Sequence, residues 1–294
     1  MSFATRYIHH PLQALGAFIF FWGFRLLPLH AASAIGGWIG RTVGPKLSVN
    51  KRAYRNIARV FPEKTDAEIA KLVTGMWDNL GRLAGEYPHL GRINVYQQDG
   101  PVEVVGTEYI EQLRDDGKPG IFVSAHIGNW ELVPLCGSQR GLPIDRVYRA
   151  ANNRLVEWLY RQGRAATDGA LIPKGASGAR MLLKSLRQGQ HLGVLLDQKM
   201  NDGIPVPFFG RPAMTAPAIA ELALRFECPV VPIHIERLGG AKFRIVVEPP
   251  LDIHVSGDRQ QDVVALMGQI NAKIETWVLA YPEQWLWLHN RWSD

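Results

Sequence analysis

Residues 120–132 read GIFVSAHIGNWEL, an apolar run that reaches a histidine, turns at a glycine and continues into a tryptophan and a glutamate. A short apolar run bounded by glycine is typical of a buried strand. Beyond residue 101 such runs alternate with stretches of helical periodicity. Strands that alternate with helices predict an α/β fold with a largely parallel central sheet flanked by helices.

The positions of the predicted elements follow from this alternation. Strands are predicted at 120–125, 147–148, 191–196, 230–236 and 243–247. Helices are predicted from about residue 129 onward and at 153–164, 178–186, 217–226 and 259–281. The last helix stops there because Pro282 cannot continue it.

The chain before residue 101 is predicted to be helical. Residues 50–61 (NKRAYRNIARVF) place Arg52, Arg55 and Arg59 on one side of a helix and apolar side chains on the other. A capping-box pattern then opens a second amphipathic helix at Thr65. We therefore divide the chain into a membrane anchor (1–45), a helical basic and amphipathic region (46–100) and an α/β domain (101–294).

The net charge of +6 is confined to the N-terminal part of the chain. The first 62 residues contain eight of the 33 basic residues and no acidic residue, so the rest carries 25 basic against 27 acidic side chains. A body that binds nucleic acid would carry its own basic face, so no nucleic-acid partner is predicted. A basic segment beside an apolar one suits an anionic membrane surface instead.

The apolar segment at residues 14–24 (ALGAFIFFWGF) is too short to cross a membrane by itself. A spanning helix needs roughly 20 apolar residues, and this run is followed by Arg25 and Pro28. Three interpretations stay open: a span in which Arg25 snorkels, two short segments that dip into one leaflet, and a buried hydrophobic hairpin. We favour a membrane-associated helical segment.

His126 and Glu131 of the opening stretch predict acid–base chemistry. Ligands of open α/β sheets bind at the carboxyl ends of strands, where His126 stands. A sharp turn at Gly128 is expected to bring the Glu131 carboxylate back to one imidazole nitrogen, which would fix the tautomer and stabilise the imidazolium. A histidine at this position that serves only packing or capping is the alternative.

Neither a metal site nor a nucleophile of the protein is predicted. The HxxxxE spacing lacks the i, i+4 histidine pair of a zinc helix, and Cys136 and Cys228 stand far apart without a CxxC pattern. Ser124 is the nearest hydroxyl to His126, but nothing in the sequence requires it to react. A base without its own nucleophile indicates that a substrate hydroxyl attacks directly.

HIGNWE (126–131) resembles the HxxxxE motif of the lipid A late acyltransferases, a branch of the glycerolipid acyltransferase group. Further blocks are similar to those of the family and occur in the same order. These blocks are NxxxxFP (56–62), residues 161–164 with GALIPK (169–174), LLDQ (195–198), VPFFGRPA (206–213) and QWLWLHNRW (284–292).

This resemblance implies a membrane-bound transferase on the cytoplasmic face of a bacterial inner membrane. Such an enzyme moves a fatty acyl group from acyl-carrier protein to a hydroxyl of a lipid A precursor, with the acyl thioester as co-substrate and no other cofactor. His126 is then the general base and Glu131 its partner. The substrate-binding residues are expected to be Arg164, Arg161, Asp197, Gln198 and Asn129.

Purely structural interpretations of these residues stay open. Asp197 caps a loop in one of them, and in another each of the two arginines is a surface charge. Two other functions also stay open: the same chemistry on another glycolipid or a lysophospholipid with acyl-CoA as donor, and a non-catalytic protein that binds membranes through its basic helix.

Overall fold

The computed structural model describes residues 9–292 of the chain. The helices are α1 (His10–Leu26), α2 (Leu29–Val43), α3 (Asn50–Val60), α4 (Asp66–Glu86), α5 (Thr107–Asp115), α6 (Val133–Ser138), α7 (Arg154–Gly163), α8 (Ala176–Arg187), α9 (Ala218–Phe226) and α10 (Arg259–Ala280). The strands are β1 (Val102–Val105), β2 (Ile121–Ser124), β3 (Ile144–Tyr148), β4 (Leu171–Pro173), β5 (His191–Leu195), β6 (Ile204–Phe208), β7 (Arg211–Thr215), β8 (Val230–Gly239) and β9 (Lys242–Val247).

Seven strands form one sheet in the order β1-β9-β8-β2-β5-β3-β4. The five strands from β8 to β4 are parallel, whereas β9 is antiparallel to β8, and β1 is parallel to β9. This confirms the predicted α/β fold with a largely parallel sheet. Strand β2, which carries the stretch quoted first, lies at the centre and is buried along its whole length.

Several predicted elements differ from the structure. The helix expected from about residue 129 begins only at Val133, because the chain first makes turns after Gly128, whose φ is +57°. The hairpin of β6 and β7 was missed: it contains Pro205, Pro207 and Pro212, which weaken a strand pattern. Strands β1 and β4 and helix α5 are short and were also missed.

The N-terminal helices pack on different partners: α2 packs along α4, and α1 packs mainly on α7. Helices α1 and α2 meet at Pro28, and the Arg25 guanidinium at the end of α1 donates a hydrogen bond to the Pro88 carbonyl oxygen at 2.6 Å. Within residues 9–292, no helix combines the length and apolarity that a bilayer crossing requires. The Arg25 guanidinium thus contacts the backbone of the segment that follows α4.

Helix α3 is fixed to the C-terminal segment. The Asn56 amide donates to the carbonyl oxygens of Trp287 and His289, at 2.8 and 2.7 Å, and Arg52 donates to that of Leu288 at 3.0 Å. Arg52, predicted to point away from the protein with the basic face, thus bonds the C-terminal backbone. The division of the chain into two parts at residue 100 stays a prediction. The hydrophobic core includes residues of α3, α4 and the sheet, so the core extends across that boundary.

Glycines allow α2 and α4 to cross at backbone contact. A Cβ atom on Gly36 would lie 2.3 Å from the Gly81 carbonyl oxygen, and one on Gly81 would lie 2.2 Å from that of Gly36. Gly40 and Gly85 meet backbone oxygens of the opposite helix at similarly short distances. Because these contacts are to backbone, side chains cannot give way, and the two helices are held in one position.

We expect Gly81→Ala to destabilise the protein by about 1–3 kcal/mol, the usual cost of overpacking. Gly268→Ala in α10 is the matched control, because nothing lies within 4 Å of its added Cβ. The control should gain up to about 1 kcal/mol, since alanine orders in a helix more easily than glycine. Chemical denaturation measures both, and a Gly81→Ala protein as stable as wild type would contradict the tight crossing.

Candidate active site

The pairing of β2 with β5 places a carboxylate on His126. Ser124 lies opposite Leu195 in this parallel pair, so two residues further His126 meets Asp197. The backbone N–H of His126 donates to Asp197 Oδ2 at 2.9 Å, and its ring Nδ1 lies 2.7 Å from Oδ1. The indole N–H of Trp285 also donates to Oδ2, at 2.8 Å.

The surroundings of Asp197 stabilise its ionised carboxylate. Its side chain is 0% exposed, and burial opposes its ionisation. The charge interaction and the hydrogen bonds with His126 outweigh burial and hold the pKa of the Asp197 carboxyl well below its usual range. The carboxylate therefore accepts the Nδ1–H of His126 and fixes the orientation of the ring.

The prediction of a hydrogen bond between His126 and Glu131 is wrong. Glu131 instead forms a two-pronged ion pair with Arg164, whose Nε and Nη2 lie 2.9 and 2.6 Å from its carboxylate oxygens. A separation of five residues would allow Glu131 to contact His126. In the structure the carboxylate on His126 comes from Asp197, which follows the neighbouring strand β5. The turn at Gly128 places Glu131 next to Arg164 instead.

The turn at Gly128 is held on both sides. Ile127 forms an antiparallel bridge with Trp285, and the Gly128 N–H donates to the Gln284 carbonyl oxygen at 3.1 Å. A Cβ on Gly128 would lie 2.4 Å from the Ile235 carbonyl oxygen, so only glycine fits here. The C-terminal QWLWLHNRW stretch is thus a wall of the site. Its tryptophans 285, 287 and 292 are buried and pack in the hydrophobic core.

The second ring nitrogen of His126 faces the Gln198 amide. Gln198 Nε2 lies 3.1 Å from Nε2 of His126 and 3.0 Å from Nε2 of His289, while Lys174 Nζ donates to Gln198 Oε1 at 3.3 Å. The ammonium group of Lys174 can only donate, so the atom of the Gln198 amide that faces it must be the oxygen. The NH₂ group of Gln198 therefore faces the two imidazoles. Nε2 of His126 is therefore an acceptor in the neutral ring.

Two of the predicted substrate-binding residues lie away from the cleft. Asn129 is fully buried, and its amide donates to the Glu86 carboxylate of α4 at 2.7 Å, so it holds the loop in place. Arg161 is exposed on α7, where it pairs with Glu157 at 3.1 Å, the surface-charge interpretation that the sequence left open. Neither residue lines the two cavities that border the site.

Two cavities share a wall next to His126, which itself lines neither of them. The inner cavity, of about 90 Å³, lies under the loop and includes Ser124 and Arg146 in its wall. The front cavity, of about 510 Å³, lies between α1, α4 and α7. Trp130, Glu131 and Arg164 line both cavities, and the Trp130 ring meets that of His126 edge-on, with centroids 5.0 Å apart. Phe208 belongs to the hydrophobic core, Phe209 packs against that core, and neither residue lines a cavity at the site.

Arg146 is a site residue that the sequence did not indicate. Burial and the neighbouring charge of Arg164 lower the pKa of Arg146 to about 10, and its Nε has no hydrogen-bond partner. The wall of the inner cavity therefore carries two guanidinium groups, of Arg146 and Arg164, and one carboxylate, of Glu131. Arg146 lies in the short strand β3, in which no motif marks it as a site residue. Its place in the site follows only from the position of β3 in the sheet.

His126, held by the buried carboxylate of Asp197, presents Nε2 as a proton acceptor, and it lies next to Trp130, which lines both cavities. The chain belongs to the bacterial lipid A biosynthesis acyltransferase family, whose sequence profile matches residues 2–294. The resemblance drawn from the motifs is thereby confirmed, and with it an enzyme that transfers acyl groups.

Individual relatives are distant but cover most of the chain. The lipid A biosynthesis acyltransferase of Haemophilus influenzae is 24% identical over 269 residues, which are 89% of this chain and 81% of that protein. The phosphatidylinositol mannoside acyltransferase of Mycolicibacterium smegmatis is 23% identical over 283 residues, 91% of this chain and 87% of its own. A solved structure, the 1-acyl-sn-glycerophosphate (LPA) acyltransferase of Thermotoga maritima, aligns with a TM-score of 0.38 at 14% identity and covers 86% of this chain and 100% of that one.

The coupling between the two imidazoles can be measured. Burial, and after it the charge of His126, lowers the pKa of His289 to about 4. In His126→Asn we expect the pKa of His289 to rise but to stay below the ordinary 6.5, because burial remains. Side-chain NMR titration measures this, with His191 as the control, since its pKa is lowered by burial without any contribution from His126. An unchanged His289 would show that the two rings are not coupled.

Proposed function

We propose that the protein transfers a fatty acyl group from an acyl-carrier-protein thioester to a hydroxyl of a lipid A precursor, at the cytoplasmic surface of the inner membrane. The observation that carries this proposal is the pair of His126 and Asp197, in which Nδ1 is held by the carboxylate and Nε2 is left as a proton acceptor. Family membership supplies the acyl-transfer class.

The reaction follows from the geometry of His126. The acceptor hydroxyl replaces the Gln198 amide at Nε2, gives its proton to the ring and attacks the thioester carbonyl carbon. Asp197 stabilises the imidazolium that forms. When the tetrahedral intermediate collapses, the carbon–sulfur bond breaks and the imidazolium returns the proton to the leaving thiolate.

Arg164 is the candidate for stabilising negative charge in this reaction. Glu131 holds its guanidinium by two hydrogen bonds, and a guanidinium held in this way presents its remaining N–H groups in a fixed direction. The oxyanion of the intermediate and a phosphate of the acceptor are both suitable partners. We propose that Glu131 acts through Arg164, as a positioning residue.

Direct attack by the acceptor agrees with the nearby potential nucleophiles. Burial raises the pKa of the Cys136 thiol far above its usual range, so a thiolate is not available. Ser124 is buried in the wall of the inner cavity, and its hydroxyl has no hydrogen-bond partner that would activate it. We therefore propose no acyl-enzyme.

Attachment to the membrane is proposed through an apolar stripe on α1. The stripe consists of exposed side chains three and four positions apart, which share one helical face: Leu12, Leu15, Ile19, Trp22 and Leu26. Trp38 of α2 is also exposed. Contiguous exposed apolar surface of this kind marks interaction sites, and the basic N-terminal part of the chain favours an anionic lipid surface.

A second candidate is the same chemistry on another glycolipid, with acyl-CoA as donor; the similarity to the phosphatidylinositol mannoside acyltransferase supports the choice of acceptor class only. Assays that combine each donor, acyl-carrier-protein thioester or acyl-CoA, with each acceptor class would separate the two. Mass spectrometry of the products should show acylated lipid A precursor from the acyl-carrier-protein thioester. Transfer only to a mannoside would favour the second candidate.

We expect His126→Ala and Asp197→Asn each to lower kcat by about 10²–10⁴-fold, the usual contribution of a general base. Asparagine is isosteric with aspartate but cannot stabilise an imidazolium. Glu131→Gln should also lower kcat, because it loosens Arg164. Glu157→Gln is the matched control, since it weakens the equivalent pair with Arg161 on the surface of α7. Wild-type rates in Asp197→Asn would rule out the proposed base.

We expect Ile19→Glu to lower binding to anionic lipid vesicles by about tenfold or more, since burying one isoleucine side chain is worth about 1.5–3 kcal/mol. Ile19 belongs to the stripe and is 66% exposed. Val255→Glu is the matched control, because Val255 is 64% exposed and lies outside α1 and α2. Vesicle flotation measures the bound fraction. Equal losses in both variants, or none in either, would contradict the stripe as the membrane contact.

A further inference from the structure

The front cavity is the larger of the two spaces that border the site. Its volume of about 510 Å³ lies in the range of ligand pockets, roughly 300–1,000 Å³. The three helices around it contribute mainly apolar side chains, which are Ala17, Phe20 and Phe21 of α1, Leu80, Leu83 and Ala84 of α4, and Val156, Leu159 and Tyr160 of α7. A wall of this composition is suited to a hydrocarbon chain.

The cavity opens beside the apolar stripe. Phe20 and Tyr160 line it and are also 38% and 45% exposed, so the space reaches the surface between α1 and α7. Phe20 follows Ile19 of the stripe directly in α1. Arg149, which is exposed, stands at the same opening and adds a positive charge. The opening therefore combines a hydrocarbon surface with a guanidinium group.

The other end of the cavity reaches the site. Trp130, Glu131 and Arg164 form this inner end, and the Trp130 ring contacts that of His126. A hydrocarbon chain in the cavity would therefore bring an attached polar group to Arg164 and the base. The same three residues separate the front cavity from the inner cavity.

We propose that the front cavity binds a hydrocarbon chain of the lipid acceptor, which enters from the membrane side between α1 and α7. This inference rests on the proposed function. The acceptor is a membrane lipid, so its chains already lie at the level of the stripe. The donor thioester arrives from solution on its carrier protein and has no need of an opening beside the membrane. The positive charge of Arg149 and Arg164 suits an acceptor with phosphate groups.

Filling the cavity is the first test. Ala84→Trp places an indole in the space from the α4 side, whereas Ala70→Trp puts the same side chain on the exposed face of that helix. We expect Ala84→Trp to raise the KM for the lipid acceptor about tenfold or more, as hydrophobic pocket contacts typically do. The KM for the donor thioester should not change, and Ala70→Trp should behave as wild type. Val156→Trp fills the cavity from α7 if Ala84→Trp has a lowered Tm.

Photolabelling is the second test and does not depend on turnover. A lipid A precursor that carries a diazirine in one acyl chain should label peptides of α1, α4 and α7 in the wild-type protein, and this labelling should fall in Ala84→Trp. A raised donor KM in Ala84→Trp, or labelling only of inner-cavity peptides such as β3, would overturn the proposal. Absence of acyl transfer to any acceptor, with labelling intact, would contradict the proposed function but not the lipid site.

Discussion

The hydrogen-bonded pair of His126 and Asp197 is the constraint on which the site depends. It joins the ends of two neighbouring parallel strands, and Asp197 binds the ring, the backbone N–H of His126 and the indole of Trp285 at once. A buried anion without such partners would be costly, so the three donors and the carboxylate require one another. The C-terminal segment is thus as much a part of the site as the motif that contains the histidine.

A second network connects the loop of the site to the N-terminal helices. Glu86, at the end of α4, is fully buried and accepts hydrogen bonds from Asn129 at 2.7 Å, from Ser33 of α2 at 2.6 Å and from the guanidinium of Arg237. Because α2 and α4 cross at backbone contact and Glu86 bonds both Ser33 and Asn129, α2, α4 and the loop after His126 form one continuous packed unit.

The ion pair of Glu131 and Arg164 has a different place in this arrangement from the one its spacing suggested. It stands between two cavities, and Arg146 adds a second guanidinium group to the wall of the inner one. An acyl transfer must bring two substrates, each with a hydrocarbon chain, to one carbon atom. The two cavities share Trp130, Glu131 and Arg164, so two hydrocarbon chains could approach the same guanidinium from different sides.

The sequence by itself determined the α/β class, the central strand that precedes His126, and the family. The alternation of short apolar runs with helical periods is a local property, and the motif blocks are read directly from the chain. Asp197 and Gln198 were expected at the site from the motif blocks, and both contact the ring of His126.

Only the tertiary structure decided which carboxylate serves His126. Sequence spacing reports what a chain segment can reach, whereas strand register decides which distant residue is already there, and the order of β2 and β5 in the sheet is not a local property. The same reason separates Arg164 from Arg161: both belong to one motif block, but the position of α7 turns the first toward the cavities and leaves the second exposed. Arg146 and the front cavity arise from the packing of elements far apart in the chain, which no single stretch of sequence specifies.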